Sequence, residues 1–474
     1  MRGLWTAKTL KPIRFGVWTT IIVALAVFFI PQSVLEGPRE FYFDALTQIL
    51  PTTRETRIVV VDIDRAALAS LNGKPWTRAE TSRLAGALAA LRPAALAFDL
   101  VFSADCDTES PTNAALVKAI ATAPTALGFL VSDRPGVGAG PSLPIVAARN
   151  ADLPSGWFVD GVEAACPTFL ASAKASAGSF LIGDADARIR RVQAYSIVAG
   201  SAHPTLALAA VQLAALKASP PVLDERPPGL RIGATRFDLT EDGNLRFIAS
   251  KPDEQAGRSI SAADVLSGRV AASRIADHIV FIGSSLPSFG GLRPTASMPL
   301  EPSVQVHADL ARGLLTGQLP QRAAWTLRYE ALYVLFAGIL LSLAAARFRP
   351  IGLATAGFAA IALTCGVTVL VFAANGLLLD GLSASVALAA ILTVVTTSQY
   401  SRVRDAERRA RARFGQYLPR SVSTVIWMRP RRGAWREKRG RSPRSSPTSR
   451  GFRPSHGAST PRHWSGFSTP ISPR

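Results

Sequence analysis

The chain has 474 residues, 48% of them hydrophobic, a mean hydropathy of +0.22 and a formal net charge of +20. That hydropathy argues against a chain that is soluble throughout, so membrane segments are expected. The charge does not describe a nucleic-acid-binding domain: residues 401–474 carry 19 Lys/Arg against 3 Asp/Glu, which is 16 of the 20 net charges, and a groove-reading fold places its charge on a packed face.

Residues 1–14, with Arg2, Lys8, Lys11 and Arg14, are expected to be a cytoplasmic N-terminus. Residues 15–31, FGVWTTIIVALAVFFIP, form an uncharged apolar run near the lower length limit of a spanning helix. A basic start and an apolar run also fit a signal peptide. The run is long for a signal core, however, and no Ala-x-Ala site follows, so an uncleaved first transmembrane helix is favoured.

Residues 57–64, RIVVVDID, are apolar and β-branched and predict a buried strand. From Thr77 to Leu91 the apolar positions Leu84, Ala87, Leu88 and Leu91 recur at helical spacing, with Thr77 as N-cap and Glu80 at the capping-box position. Residues 94–102 predict a second strand. Strand, helix and strand in this order make a parallel βαβ unit and set the two strands side by side. Strands at 125–131 and 278–283 and helices at 205–217 and 303–315 continue the alternation. The expected fold is an α/β domain over 32–322 with a mainly parallel sheet, plus four transmembrane α-helices.

The last three of these are apolar runs at 327–346, 351–374 and 377–400. The basic N-terminus, the Arg347/Arg349 turn and the Arg-rich segment after Tyr400 fall on one side of the bilayer, which the positive-inside rule makes cytoplasmic. Residues 32–322 then face outward. A four-helix transporter fits less well, because the spans hold few of the polar or ionisable groups that line transport paths.

Asp62, Asp64 and Asp99 stand at the C-terminal ends of the first two strands, the edge where open α/β sheets bind ligands. They are candidates to line a sensor pocket; the competing reading makes them caps of the following turns. In an oxidising compartment Cys106 and Cys166 are candidates for one disulfide, against two separate buried thiols. His203, His278 and His307 have no second ligand at metal spacing, and no metal is expected. Gly233, Gly243, Gly257 and Gly290-Gly291 punctuate turns and form no phosphate-cradling loop. Catalytic residues: none stand out, since neither a Ser/His/Asp set nor paired carboxylates follow from spacing.

The stretch VVVDIDRAALASLNGKPWTRAETSRLAGALAALRPAALAFDLVFSAD (59–105) resembles the opening of the type-2 CHASE sensor domain, an extracytoplasmic input module of bacterial adenylate/guanylate cyclases and some histidine kinases. The likeness returns in DGNLRFIASKP (242–252), ISAADVLSGRVAASRIADHIVFIGSS (260–285) and SVQVHADLARGLLTG (303–317). It implies a multi-pass receptor of the bacterial inner (plasma) membrane with a periplasmic or extracellular sensor. The implied partners are membrane lipid, an extracytoplasmic ligand that the motifs do not specify, and a second copy in a homodimer; nucleic acid is not among them.

Residues 401–427 look like the cytoplasmic connector to a class III cyclase domain, the likeness lying in RARFGQYLPRSV (411–422). Beyond it, 428–474 are Arg, Pro and Ser with little else, a composition that predicts disorder. With synonymous codons read one frame over, SSPTSRGF (445–452) can encode FTDIAGF, which resembles the first metal-binding segment of that family, and 457–474 can hide further cyclase-like text. The tail is therefore expected to be a frameshifted or truncated cyclase start. Class III cyclases hold two divalent metals on two carboxylates, and neither has an in-frame counterpart here. Mg and ATP are thus implied only for an intact cyclase relative. The function expected is a membrane-bound signal-transduction receptor; the alternative is a catalytically silent partner subunit of a full-length cyclase or sensor kinase.

Overall fold

The computed structural model describes residues 7–415, apart from 50–52, 54, 73, 134–137, 148–156, 216–218, 225–226 and 290. The connector beyond Gly415 and the tail at 428–474 lie outside the described residues. The chain divides into two compact units, Met1–Asp405 and Ala406–Arg474; the description below concerns the first.

Helix α1 (Ala7–Phe29) ends before Pro31, whose ring disfavours helical backbone at Ile30. The chain then turns by 91° into α2 (Gln32–Ile49), a helix not foreseen from the sequence. Next come β1 (Ile58–Asp62), α3 (Arg65–Ser70), α4 (Arg78–Ala90), β2 (Ala95–Phe98), α5 (Pro111–Thr122) and β3 (Thr125–Ser132). The second half of the domain adds β4 (Gly161–Glu163), α6 (Pro167–Ser172), β5 (Ala175–Gly178), α7 (Leu206–Ala214), α8 (Pro252–Arg258), β6 (Ser259–Ser261), α9 (Ala262–Leu266), β7 (Ile279–Gly283) and α10 (Ser303–Thr316).

The central sheet has the order β6-β1-β7-β2-β3, all parallel, and the far edge of β3 takes two partners. β5 runs parallel beside Ala126–Phe129, and β4 antiparallel beside Leu130–Ser132. Successive side chains point to opposite faces. Ile58, Val60, Ala95, Ala97, Ile279 and Phe281 therefore pack beneath α7 and α10, while Val59, Val61, Leu96, Phe98, Val280 and Ile282 pack beneath α4, α5, α6 and α9. Burial on both faces explains why these strands read as unbroken apolar runs.

Two expectations are corrected. β1 and β2 are not neighbours, because β7, entirely buried, lies between them; a βαβ crossover fixes order and direction but leaves room for a strand arriving from far along the chain. The mainly parallel character belongs to the central sheet; the smaller sheets are mixed, with parallel pairs only at Val146–Ala147 beside Val222–Leu223 and Trp157–Val159 beside Ser196–Val198 among the described residues. Short antiparallel strands fill 191–246, including the hairpins Tyr195–Val198 with Ser201–Pro204 and Gly229–Ile232 with Thr235–Asp238.

Among the described residues three helices are long and apolar enough to cross a membrane: α11 (Thr326–Arg347), α12 (Pro350–Asn375) and α13 (Gly381–Gly415). The α1–α2 pair meets the same test only as a bent pair. The last apolar run was expected to be helical from 377. It starts at Gly381 instead, because Asp380 caps it by accepting from Ser383 N (2.8 Å), while Leu378 N donates to Gln321 O (2.8 Å). Helices α1 and α11 approach closely at small residues. A Cβ on Gly338 would stand 2.5 Å from Thr20 Cγ2, and one on Gly16 2.7 Å from Ser342 Oγ.

Candidate functional site

At the C-terminal edge of the sheet a cleft of about 470 Å³ opens between the ends of β2 and β5, the start of α4 and the start of α10. The sequence builds each wall locally. Thr77 and Glu80 close a capping box that fixes the first turn of α4, and Trp76 Nε1 donates to Thr81 Oγ1 (2.9 Å). Arg78 donates to Ala104 O (2.6 Å) and Asp105 O (3.1 Å), and its guanidinium lies over the rings of Phe102 and Phe169 (5.7 and 5.2 Å). Phe102, Phe180 and Phe289 supply the apolar lining.

Asp99 forms the polar floor. Ser179 Oγ donates to its Oδ1 and Ser303 Oγ, from the first turn of α10, to its Oδ2 (2.5 Å). Beneath them His307 is fully buried, its Nε2 3.7 Å from Asp99 Oδ1 and 3.2 Å from Ser179 O. Burial pushes the His307 pKa below the ordinary histidine value, against the opposing pull of Asp99. The neutral ring is assigned as donating Nε2–H to Ser179 O, which leaves the imidazole no lone pair on that nitrogen for either serine hydroxyl, and both hydroxyls are spent on Asp99. The arrangement fits recognition of a ligand group by Asp99 rather than acyl transfer.

Asp62 and Asp64 fall elsewhere. Asp64 caps α3 by accepting from Ala67 N (2.8 Å) and also accepts from Ser261 Oγ (2.8 Å). Asp62 accepts from Ser285 N (2.7 Å), and burial raises its pKa. Neither lines the cleft, so the three acids do not form one group. Cys106 and Cys166 are joined as a disulfide, Cα–Cα 5.5 Å, which ties the rim loop after β2 to the N-cap of α6. His203 is buried against Phe129 with Nδ1 near Ser176 O (3.2 Å), and His278 bonds its own turn at Ala276 O (2.6 Å). Gly233 and Gly243 do sit in turns with positive φ, whereas Gly257 lies inside α8. Among the described residues no group of three or more His, Cys, Asp or Glu is placed to hold a metal ion.

Two buried charge clusters escaped the sequence reading. On α2, Asp44 takes two bonds from Arg190 (2.8 Å each), Glu40 is bonded by Arg246 and Arg191, and Arg190 also reaches Asp184 and Asp186 (3.1 and 2.7 Å). On α10, Asp309 accepts from Arg258 (2.7 Å) and from Ser250, near Glu301, which accepts from Gln255 (2.9 Å). The bonds that tie Glu40, Asp44, Asp309 and Glu301 to these partners span 46 to 206 residues, so no local pattern marks them; the Arg190 bonds to Asp184 and Asp186, six and four residues apart, are the local exception. The one available signal was the run Arg188-Ile-Arg-Arg191 inside an otherwise charge-balanced domain.

Comparison with curated proteins and with solved structures gave no match. The family model described as CHASE2 domain matches residues 19–345, a stretch that takes in α1 from Thr19 onward, the whole sheet domain and α11 nearly to its end. That span is well over half the chain and contains the sheet, the cleft and parts of both flanking helices, and the chain therefore belongs to the CHASE2 domain family.

Proposed function

We propose that this protein is a multi-pass receptor of the bacterial inner membrane, in which the α/β domain binds a small extracytoplasmic ligand in the Asp99 cleft and α10 to α13 carry the change to a cyclase-type output. CHASE2 is a sensor-domain family, which supports the receptor class. The observation that carries the reading is the place of the cleft: its floor joins the end of β2 to the first turn of α10, and α10 ends at Gly317, from which residues 317–325 lead directly to α11. A ligand that competes for Asp99 releases or tightens Ser303 and so acts on the helix that leads to the membrane. The aromatic lining suits a ligand with an apolar body and one hydrogen-bonding or cationic group.

In this reading α1 is the fourth span, supported by its close packing on α11 at Gly16, Thr20 and Gly338. The resemblance of 411–422 to a cyclase connector supports the output, and the silent-partner alternative shares every step up to it. The test is a fusion of residues 1–415 to a class III cyclase domain, assayed for cyclic nucleotide in cells exposed to fractionated growth medium. We expect a fraction that changes output in the parent and not in Asp99→Ala, with Asp99→Ala still folded. A response that Asp99→Ala retains in full would remove the cleft from the account.

A further inference from the structure

Helix α2 has three sides with different chemistry. One side carries Glu36, Glu40 and Asp44, bonded to Arg191, Arg246 and Arg190 of the sheet domain. The next meets the membrane helices: Tyr42 bonds Thr368 of α12, and Phe43 and Leu46 pack with Phe372 and Leu378. The third is apolar and bare. Val34, Pro38, Phe41, Ala45 and Ile49 recur at i, i+4, i+7, i+11 and i+15, with Val34, Phe41 and Ile49 exposed by 65%, 71% and 64%. That is one stripe of a helix, turned away from the sheet domain.

What covers the stripe follows from the direction of the helix. α2 leaves α1 at 91°, so if α1 crosses the bilayer, as proposed above, α2 runs along its surface. The stripe continues the exposed apolar end of α1 at Phe28 and Phe29, which in a spanning helix faces lipid. The three carboxylates of α2 point the other way and are paired with arginines of the sheet domain, and Arg39 is turned off the stripe as well, donating to Gln32 of its own helix (2.7 Å). An in-plane helix with this division of faces buries its apolar side at the headgroup–acyl boundary. We propose that α2 is a membrane-embedded in-plane helix, with Val34, Phe41, Ala45 and Ile49 in the outer leaflet. The sheet domain thereby rests on lipid through one ionic layer, and the packing of that leaflet becomes an input to the receptor alongside the cleft.

The test is site-directed spin labelling of the full chain, in a Cys365→Ala background, reconstituted in vesicles of phosphatidylethanolamine and phosphatidylglycerol. Single cysteines replace Val34, Phe41 and Ala45, exposed sites where substitution leaves the core untouched, with Phe158 on the sheet domain as the aqueous reference. We expect oxygen to collide with the label several-fold more often than a nickel chelate at all three α2 sites, and the reverse at Phe158. Higher nickel access at these sites would overturn the proposal. So would loss of access to both reagents with spin–spin broadening, which makes the occupant a second copy. A label at Ile22, exposed on α1, reports separately whether α1 lies in lipid, so failure of the span and failure of the in-plane helix are told apart.

Discussion

At the residue scale the buried carboxylates and histidines set how stability depends on pH. Burial, reinforced by the charge of Asp309, raises Glu301 to about 8. The opposing influence is Thr295 Oγ1, which donates to Glu301 Oε2 (2.5 Å) while accepting from Ser297 N (3.2 Å) and Met298 N (3.1 Å). A raised carboxyl pKa favours the fold fully below its unfolded value of 4.5, and this contribution is lost as pH rises to about 8. His203 and His307 act in the other direction. Burial lowers both from 6.5, so the unfolded chain takes up their protons first and stability falls as pH drops below 6.5. Two groups outweigh one on the acid side, and between 6.5 and 8 Glu301 acts alone among the three. Thermal unfolding in detergent is therefore expected to show greatest stability near pH 6.5, declining on the alkaline side by on the order of 1 kcal/mol per pH unit. Glu301→Gln should flatten the alkaline limb and leave the acid limb in place; an unchanged alkaline limb would refute the assignment. Of these residues only local ones could be read in advance. Thr77 and Glu80 are three positions apart and were legible as a capping box, whereas Asp99 meets His307 and Ser303 across more than two hundred residues.

At the element scale legibility followed burial. The four strands expected from 57, 94, 125 and 278 and the helices expected from 77, 205 and 303 were found at their places, because period and composition are local properties, whereas β5, four small residues with no long apolar run, and α5 were not foreseen. The position of β7 between β1 and β2 was not, since it depends on a pairing decided by the whole sheet. α2 was missed for a different reason. Pro38 interrupts it, removing the donor to the Val34 carbonyl, and its inward face is acidic rather than apolar. Its anchorage is ionic, and that gives a test. Arg190 is nearly buried beside Asp44, with Arg188, itself half-exposed, as the only other cation on that carboxylate among the described residues. Arg190→Ala leaves Asp44 and Asp184 buried with too little compensation, a situation that costs about 3 kcal/mol or more. The expected result is a lower unfolding midpoint that the double variant Arg190→Ala with Asp44→Ala partly restores. Additive losses in the double variant would show that the pair does not hold α2 to the domain.

At the scale of the whole molecule, orientation rests on where arginine and lysine stand relative to the spans. The α11–α12 turn carries Arg347 and Arg349, and α13 carries Arg402 and Arg404 beyond its apolar part. The α12–α13 turn has none and holds Asp380. On the sheet-domain side of α11 stand Arg322 and Arg328, and Arg322 is held by Glu330 (2.9 and 3.0 Å) and by Leu378 O (3.2 Å). The basic excess thus lies at the end of the bundle away from the sheet domain, and the proposed orientation, which follows the positive-inside rule, has that end in the cytoplasm. In intact spheroplasts of a Cys365→Ala background, a membrane-impermeant maleimide is expected to label Leu300→Cys, exposed on the sheet domain, at once, and Phe348→Cys, exposed in the α11–α12 turn, only after permeabilisation. The opposite pattern would put the Asp99 cleft in the cytoplasm. Labelling of both sites from the same side would mean that α11 does not cross, and the route from α10 to the connector would then have no membrane to traverse.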